Sequence, residues 1–168
     1  MTSGCADRNW AASVVIDRMR KEDVDAVREI DRVSFPSSWS AESYLRDLRN
    51  PNSYHIVARF GDGVVGYAGM WVIVDEAHIS TLAVRSDRRR CGLGRRLLSH
   101  LIDAAHERGA TEITLEVREA NAAARALYES FGFKCRGFIP RYYGDTDENA
   151  VVMSLGHSTG EPTEEWLE

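Results

Sequence analysis

The chain has 168 residues, 43% of them hydrophobic and 28% charged, with 13 glycines and 4 prolines; that is enough for one self-sufficient core and too ordered a composition for a low-complexity chain. No apolar run approaches the ~20 residues of a membrane span, and the N-terminal stretch lacks the apolar block of a secretory signal, so the expected address is cytoplasmic, with no membrane partner. The net charge of −5 is uneven: residues 157–168 hold four glutamates and no Lys or Arg, which leaves a nearly neutral body with one basic cluster, Arg85, Arg88, Arg89, Arg90, Arg95 and Arg96, of the kind that binds an anion.

Residues 1–12 and the Gly/Ser/Thr/Pro/Glu-rich end 157–168 read as flexible flanks around a single domain over 13–156. In the acidic tail, Trp166-Leu167 reads as an incidental apolar pair on a solvated segment, with docking onto a partner or back onto the body as the alternative. A strand is predicted from Val14 to Arg18, then helices over Lys21 to Val33 and Ser40 to Leu48, the first made amphipathic by Asp23, Asp25, Glu29 and Asp31. Tyr54 to Phe60 and Val64 to Val74 read as strands of a hairpin turning at Gly61-Asp62-Gly63, and His78 to Val84 is a further strand. Leu93, Leu97, Leu98, Leu101, Ile102 and Ala105 form a helical stripe that ends at Gly109. Ile113 to Arg118 is a strand, Asn121 to Phe131 a helix capped by Asn121 and stopped at Gly132, and Lys134 to Phe138 and Ala150 to Leu155 are closing strands. Cys5, Cys91 and Cys135 and the five histidines are scattered without CxxC or HExxH spacing, so reduced thiols and no metal are expected.

The segment RRRCGLGRRLL, residues 88–98, follows a strand and opens a helix. The free N–H groups of a first helical turn attract anions, and Gly92 and Gly94 let a phosphate approach the backbone. A dinucleotide-binding reading fails because Leu97 stands where the third glycine is needed and the preceding strands form a meander. A Walker loop lacks its Gly-Lys-Ser/Thr, and a nucleic-acid face lacks interleaved aromatics. On the strand after this helix, Thr114, Glu116 and Arg118 share one face, which indicates either a cleft or a wet edge. On the next helix, Tyr128 falls on the stripe of Ala124, Leu127 and Phe131 and is by spacing alone a core aromatic.

The pattern Arg89-x-x-Gly92-x-Gly94 resembles the acetyl-CoA pyrophosphate signature of the GNAT superfamily. The segments FPSSWS (35–40), DEAHISTLAV (75–84), RRRCGLGRRLL (88–98), LEVREANAAARALYESFGF (115–133) and RYYGD (141–145) are similar to the RimI-type N-terminal acetyltransferases, over about residues 35–155. The resemblance implies an α/β (α+β type) GNAT fold, a mixed sheet of about seven strands with about four helices on both faces. It implies acetyl-CoA as cosubstrate and a protein N-terminus as acceptor, in the best-known members the N-terminal alanine of a small-subunit ribosomal protein. It assigns the general base to Glu116 and the general acid to Tyr128. Coenzyme contacts fall on Leu82, Ala83, Val84, Arg89, Arg90, Cys91, Gly92, Leu93, Gly94, Arg95 and Asn121, and acceptor walls on Phe35, Trp39, Tyr142 and Tyr143. The chain departs from the family at Arg85-Ser86, where an Asp-Pro-like pair is usual.

These residue types suit the chemistry. An α-ammonium of pKa ~8 must lose a proton before it attacks a thioester, whereas a lysine ammonium at ~10.4 starts ~3 kcal/mol further away. A small-molecule amine or a lysine side chain is the alternative acceptor. No direct nucleic-acid binding is expected, and a monomer or weak dimer is the expected state.

Overall fold

The computed structural model describes residues 8–35 and 38–156, so the acidic tail with Trp166-Leu167 lies outside the described residues. Seven strands form one sheet: β1 (Val15–Arg18), β2 (Ser53–Phe60), β3 (Gly63–Ile73), β4 (Glu76–Val84), β5 (Glu112–Arg118), β6 (Lys134–Tyr143) and β7 (Glu148–Gly156). Their order is β1-β2-β3-β4-β5-β7-β6, and only the β4–β5 pairing is parallel. The helices are α1 (Arg8–Ala12), α2 (Val24–Ser34), α3 (Ala41–Leu48), α4 (Leu93–Glu107) and α5 (Ala122–Ser130). The mixed sheet with helices on both faces forms as expected, with one more short helix. Among the described residues no helix is long and apolar enough to cross a membrane.

Each face of the sheet has its own core. The α4 stripe of Leu93, Leu97, Leu98 and Leu101 is fully buried against Ile56, Ala68, Ile79 and Leu115, joined by Tyr128 and Phe133. On the opposite face Val24, Val27 and Ile30 of α2 and Tyr44 of α3 cover Val57, Tyr67 and Ala83. Burying each such aliphatic side chain contributes about 1.5–3 kcal/mol, which sets these helices more firmly than propensity alone.

Three departures from expectation have a visible cause in the packing. Residues 8–12, read as part of a flexible flank, form α1: Trp10 packs edge-on against Phe60 with centroids 5.4 Å apart, and Arg88 stacks on Trp10 at 4.5 Å. Arg96 adds bonds to the carbonyls of Ala11 and Val14 at 2.9 and 2.8 Å. Next, the stretch Lys21–Asp23 is a 3-10 turn before α2, because Asp23 turns back to accept the Arg20 N–H at 2.8 Å and a fork from Arg59 at 2.6 and 2.7 Å. Finally, β6 runs on to Tyr143, so Tyr142 and Tyr143 end a strand and do not sit in a loop. Register slips around Arg136 and over 140–142 break the alternation that would have shown this.

Two features shape the centre of the sheet. Strands β4 and β5 pair only at Glu76↔Glu112, Ala77↔Ile113 and His78↔Thr114, and part beyond that point. In β4, Gly69 opposes Thr81 while Met70 opposes Ile79, so Ser80 is a bulge where the strand leaves its neighbour. The polar face of β5 therefore opens onto a gap within the sheet, since β5 lies between β4 and β7 and is no edge.

Candidate active site

The gap continues into a trough of three joined cavities. A cleft of about 660 Å³ is lined by Leu82, Ala83 and Val84 of β4, by Arg89, Arg90, Gly92, Leu93, Gly94 and Arg95 of the following turn, and by Asn121. A narrower section of about 180 Å³ lies between the parted strands and is lined by Ser80, Thr81, Glu116, Arg118, Tyr128 and Tyr143. A pocket of about 210 Å³ beyond it is walled by Phe35, Trp39, Tyr142 and Tyr143, with Asp31 and Arg118 among its lining. Phe35 borders all three. The structure thus brings the residues assigned to coenzyme, chemistry and acceptor into one continuous channel, except that Cys91 does not line the cleft.

The coenzyme end is a backbone site. Gly92 caps α4 with φ 82, and no side chain caps the helix and no acidic residue stands in its first turn. A Cβ at Gly92 would meet nothing within 4 Å, so glycine is needed there for its left-handed backbone and not for space. The uncapped N–H groups and the positive end of the helix dipole fit a pyrophosphate. The arginines contribute differently from one another. Arg89 donates to the Val84 carbonyl at 3.0 Å and to Ser34 Oγ at 3.4 Å, Arg95 to Ser130 Oγ at 2.8 Å, and Arg96 to the N-terminal segment. Arg85, where the chain departs from the family pattern, forks onto Asp87 at 2.6 and 3.0 Å. Much of the basic cluster therefore shapes the turn, and the helix start itself is left as the candidate anion site. Asn121 spends its side-chain oxygen on the Ala124 N–H at 3.1 Å and lines the cleft.

At the centre, Glu116 is paired with a residue the sequence reading passed over. His78 Nε2 lies 2.5 Å from Glu116 Oε2, with both side chains about one-fifth exposed. An ionised carboxylate can only accept, so against one it is Nε2 that carries the hydrogen, and Glu116 also lines the narrow section. Trp71 stacks on the imidazole, with centroids 5.1 Å apart and planes 26° from parallel, and fixes its plane. The clue in the sequence was a histidine inside a strand. Only the register His78↔Thr114 shows that it reaches the Glu116 face, because cross-strand partners point the same way.

Tyr128 is 8% exposed, packs against Phe133 with centroids 5.8 Å apart, and lines the narrow section. Burial pushes its phenol up to about 12, so it stays protonated and able to donate through the neutral range. Burial also raises Tyr143 to about 12, and the nearby Glu116 carboxylate pushes both Tyr142 and Tyr143 in the same direction. Beneath the pocket, Asp31 is buried and accepts from the Tyr67 hydroxyl at 2.6 Å and the Trp39 N–H at 2.9 Å, which holds Trp39 in the wall.

Similarity to known proteins agrees with this geometry. Residues 24–133 match the model of the Acetyltransferase (GNAT) family. The chain is 36% identical over 142 residues to the [ribosomal protein bS18]-alanine N-acetyltransferase of Escherichia coli, covering 83% of this chain and 95% of that one. It is 33% identical to the N-alpha-acetyltransferase RimI of Mycobacterium tuberculosis, over 89% and 96% of the two chains. Among solved structures, Arabidopsis thaliana Naa50 in complex with the bisubstrate analogue CoA-Ac-MVNAL superposes with a TM-score of 0.77 at 25% identity, covering 86% of this chain and 99% of that one. The match over most of the domain, on a sheet parted at β4 and β5 above an uncapped helix start, makes this chain a member of the GNAT acetyltransferase family.

Proposed function

We propose that this acetyltransferase moves the acetyl group of acetyl-CoA onto the α-amino group of a protein N-terminus, the acceptor type that the name of its Mycobacterium tuberculosis relative states, and that its acceptor is the N-terminal alanine of a ribosomal protein, as the name of its Escherichia coli relative states for that protein. One observation carries the reading: the Glu116–His78 pair stands between a cleft that ends on an uncapped helix and an aromatic-walled pocket of about 210 Å³. All the residues involved fall within 13–156, the single domain we assign to the activity.

The acceptor enters from the aromatic pocket as an ammonium. Glu116 takes one of its protons, directly or through one water, while His78 holds the carboxylate in place. The freed amine forms a bond to the thioester carbonyl carbon, and the β5-facing backbone of β4, which has no partner strand past His78, offers N–H groups to the developing oxyanion. As the carbon–sulfur bond breaks, Tyr128 gives its proton to the thiolate and regains one from the new amide nitrogen or solvent. The balance is one amide, one free thiol and one released proton, with no covalent enzyme intermediate.

The test is a panel of peptides that differ at residue 1, together with free amines and lysine peptides blocked at the N-terminus, each mixed with acetyl-CoA and weighed by mass spectrometry. Acetylation of unblocked alanine-led peptides at the α-amine is the expected result. Acetylation confined to free amines or to lysine side chains overturns the assignment.

A further inference from the structure

Strand β5 ends on Arg118, two residues past Glu116 and on the same face, and its guanidinium is committed to the tip of the β6–β7 hairpin. Nη2 donates to both oxygens of Asp145 at 3.1 and 3.2 Å, and Nη1 donates to Thr146 Oγ1 at 3.1 Å and Glu148 Oε2 at 3.3 Å. The same group lies over the Tyr143 ring, 4.0 Å from its centroid. Glu148 uses its other oxygen to accept the Ala120 N–H at 3.0 Å, so the hairpin is also tied to the turn that starts α5.

Strand pairing does not hold this part of the hairpin. The register passes from Ile139↔Ala150 to Tyr143↔Glu148, which leaves Pro140, Arg141 and Tyr142 without strand partners, and Arg141 has a φ of 52°. Beyond Tyr143 the tip has one backbone bond of its own, from the Thr146 N–H to the Tyr143 carbonyl at 3.3 Å. A cation on the rigid centre of the sheet thus balances two carboxylates on an irregular hairpin and pins the aromatic ring next to them. Arg118 and Tyr143 line both the narrow section and the aromatic pocket, so they stand where the two meet.

We propose that Arg118 is a positioning residue for the acceptor: it latches the hairpin so that Tyr142 and Tyr143 form the pocket wall, and it acts on acceptor binding but not on coenzyme binding. The inference rests on reading the aromatic pocket as the acceptor site. The coenzyme cleft is built without the hairpin, which is why the two effects separate. Lysine in place of Arg118 keeps the charge but loses the fork onto Asp145 and the stacking plane on Tyr143, so it does not restore the latch.

The experiment uses the full chain with Arg118→Met, Arg118→Lys, Asp145→Asn and the Arg118→Met/Asp145→Asn double variant. Kinetics with an alanine-led peptide are measured alongside amide hydrogen exchange. Peptide KM is expected to rise about tenfold in Arg118→Met, equivalent to ~1.4 kcal/mol, with kcat and coenzyme KM little changed. Asp145→Asn shifts it in the same direction, and the double variant is no worse than Arg118→Met, because both changes break one contact. Exchange over 141–148 quickens while exchange over 88–96 stays as in the parent. Unchanged exchange at the tip overturns the latch, as does a coenzyme KM that rises as much as the peptide KM. If the parent acetylates no peptide, the acceptor reading fails on its own, and faster exchange at the tip still supports the latch.

Discussion

The proposed coenzyme end of the trough is built mainly from one stretch, Leu82 to Arg95, closed by Asn121 and the start of α5 and by Ser34 and Phe35, whereas the proposed acceptor end has no such dominant stretch and is assembled from segments around Phe35, Arg118 and Tyr143 that lie far apart in the chain. The first relies on backbone N–H groups at an uncapped helix start, a feature set by the local turn and by Gly92. The second relies on side-chain ties: Asp31 to Trp39, Arg118 to Asp145 and Glu148, His78 to Glu116. A backbone site tolerates many side-chain changes and resists few changes of φ. A site of side-chain ties can be retuned one tie at a time.

Substitutions at four positions break or sharpen that contrast. Glu116→Gln removes the proposed base from the junction and should lower kcat by about 10²–10⁴-fold, the usual range for a general base. Coenzyme affinity, read by titration calorimetry, should hold, since Glu116 does not line the coenzyme cleft. A variant that keeps parental turnover would remove Glu116 from the mechanism.

Tyr128→Phe comes next, with a loss of about 10²-fold in kcat if the phenol serves as the acid. Its raised pKa of about 12 fixes the sign of the pH effect. The hydroxyl is protonated, and able to donate, at every pH below that value, and only above it is the proton lost. Parent and variant should therefore show profiles of the same shape between pH ~6 and ~10, both rising as the acceptor amine of pKa ~8 loses its proton. An alkaline limb in that window that vanishes with Tyr128→Phe is incompatible with this assignment.

His78→Ala tests a tie: it leaves Glu116 in place but unsupported, and a misplacement of the base costs about ten- to a hundredfold in kcat. His78→Gln, whose amide can donate to the same carboxylate, should recover part of that loss, and single-turnover rates separate this from slow product release. The smallest effect falls on the backbone side. Gly92→Ala has room for its methyl group but must hold a left-handed φ, a strain of ~1–2 kcal/mol. Coenzyme Kd should weaken by about tenfold, while peptide KM at saturating coenzyme stays put. A rise in peptide KM alone would show that the two ends are not built independently.

The difference between the ends also explains what could be read before the structure was known. The α4 stripe, the Asn121 cap and the Gly132 stop are each encoded within a few residues, and all three appear: Asn121 accepts the Ala124 N–H, and Gly132 has φ 96°. The short helix α1 was missed because its stability comes from Phe60, Arg88 and Arg96, far away in the chain. The extension of β6 was missed because its register slips hide the two-residue period. His78 escaped notice because a pair between neighbouring strands depends on register, which a single strand does not carry.

Local spacing along the chain was therefore enough for the seven strands as separate elements, the glycine turn that opens α4 and the side of β5 on which Glu116 lies, because each depends on the period of one element or the chemistry of one turn. Which partner Glu116 has, whether its face meets a gap or solvent, and how Tyr142 and Tyr143 come to wall a pocket were decided by tertiary structure. Those answers depend on where β4 parts from β5 and on what Arg118 reaches across the sheet, and both are relations between segments that only packing brings together.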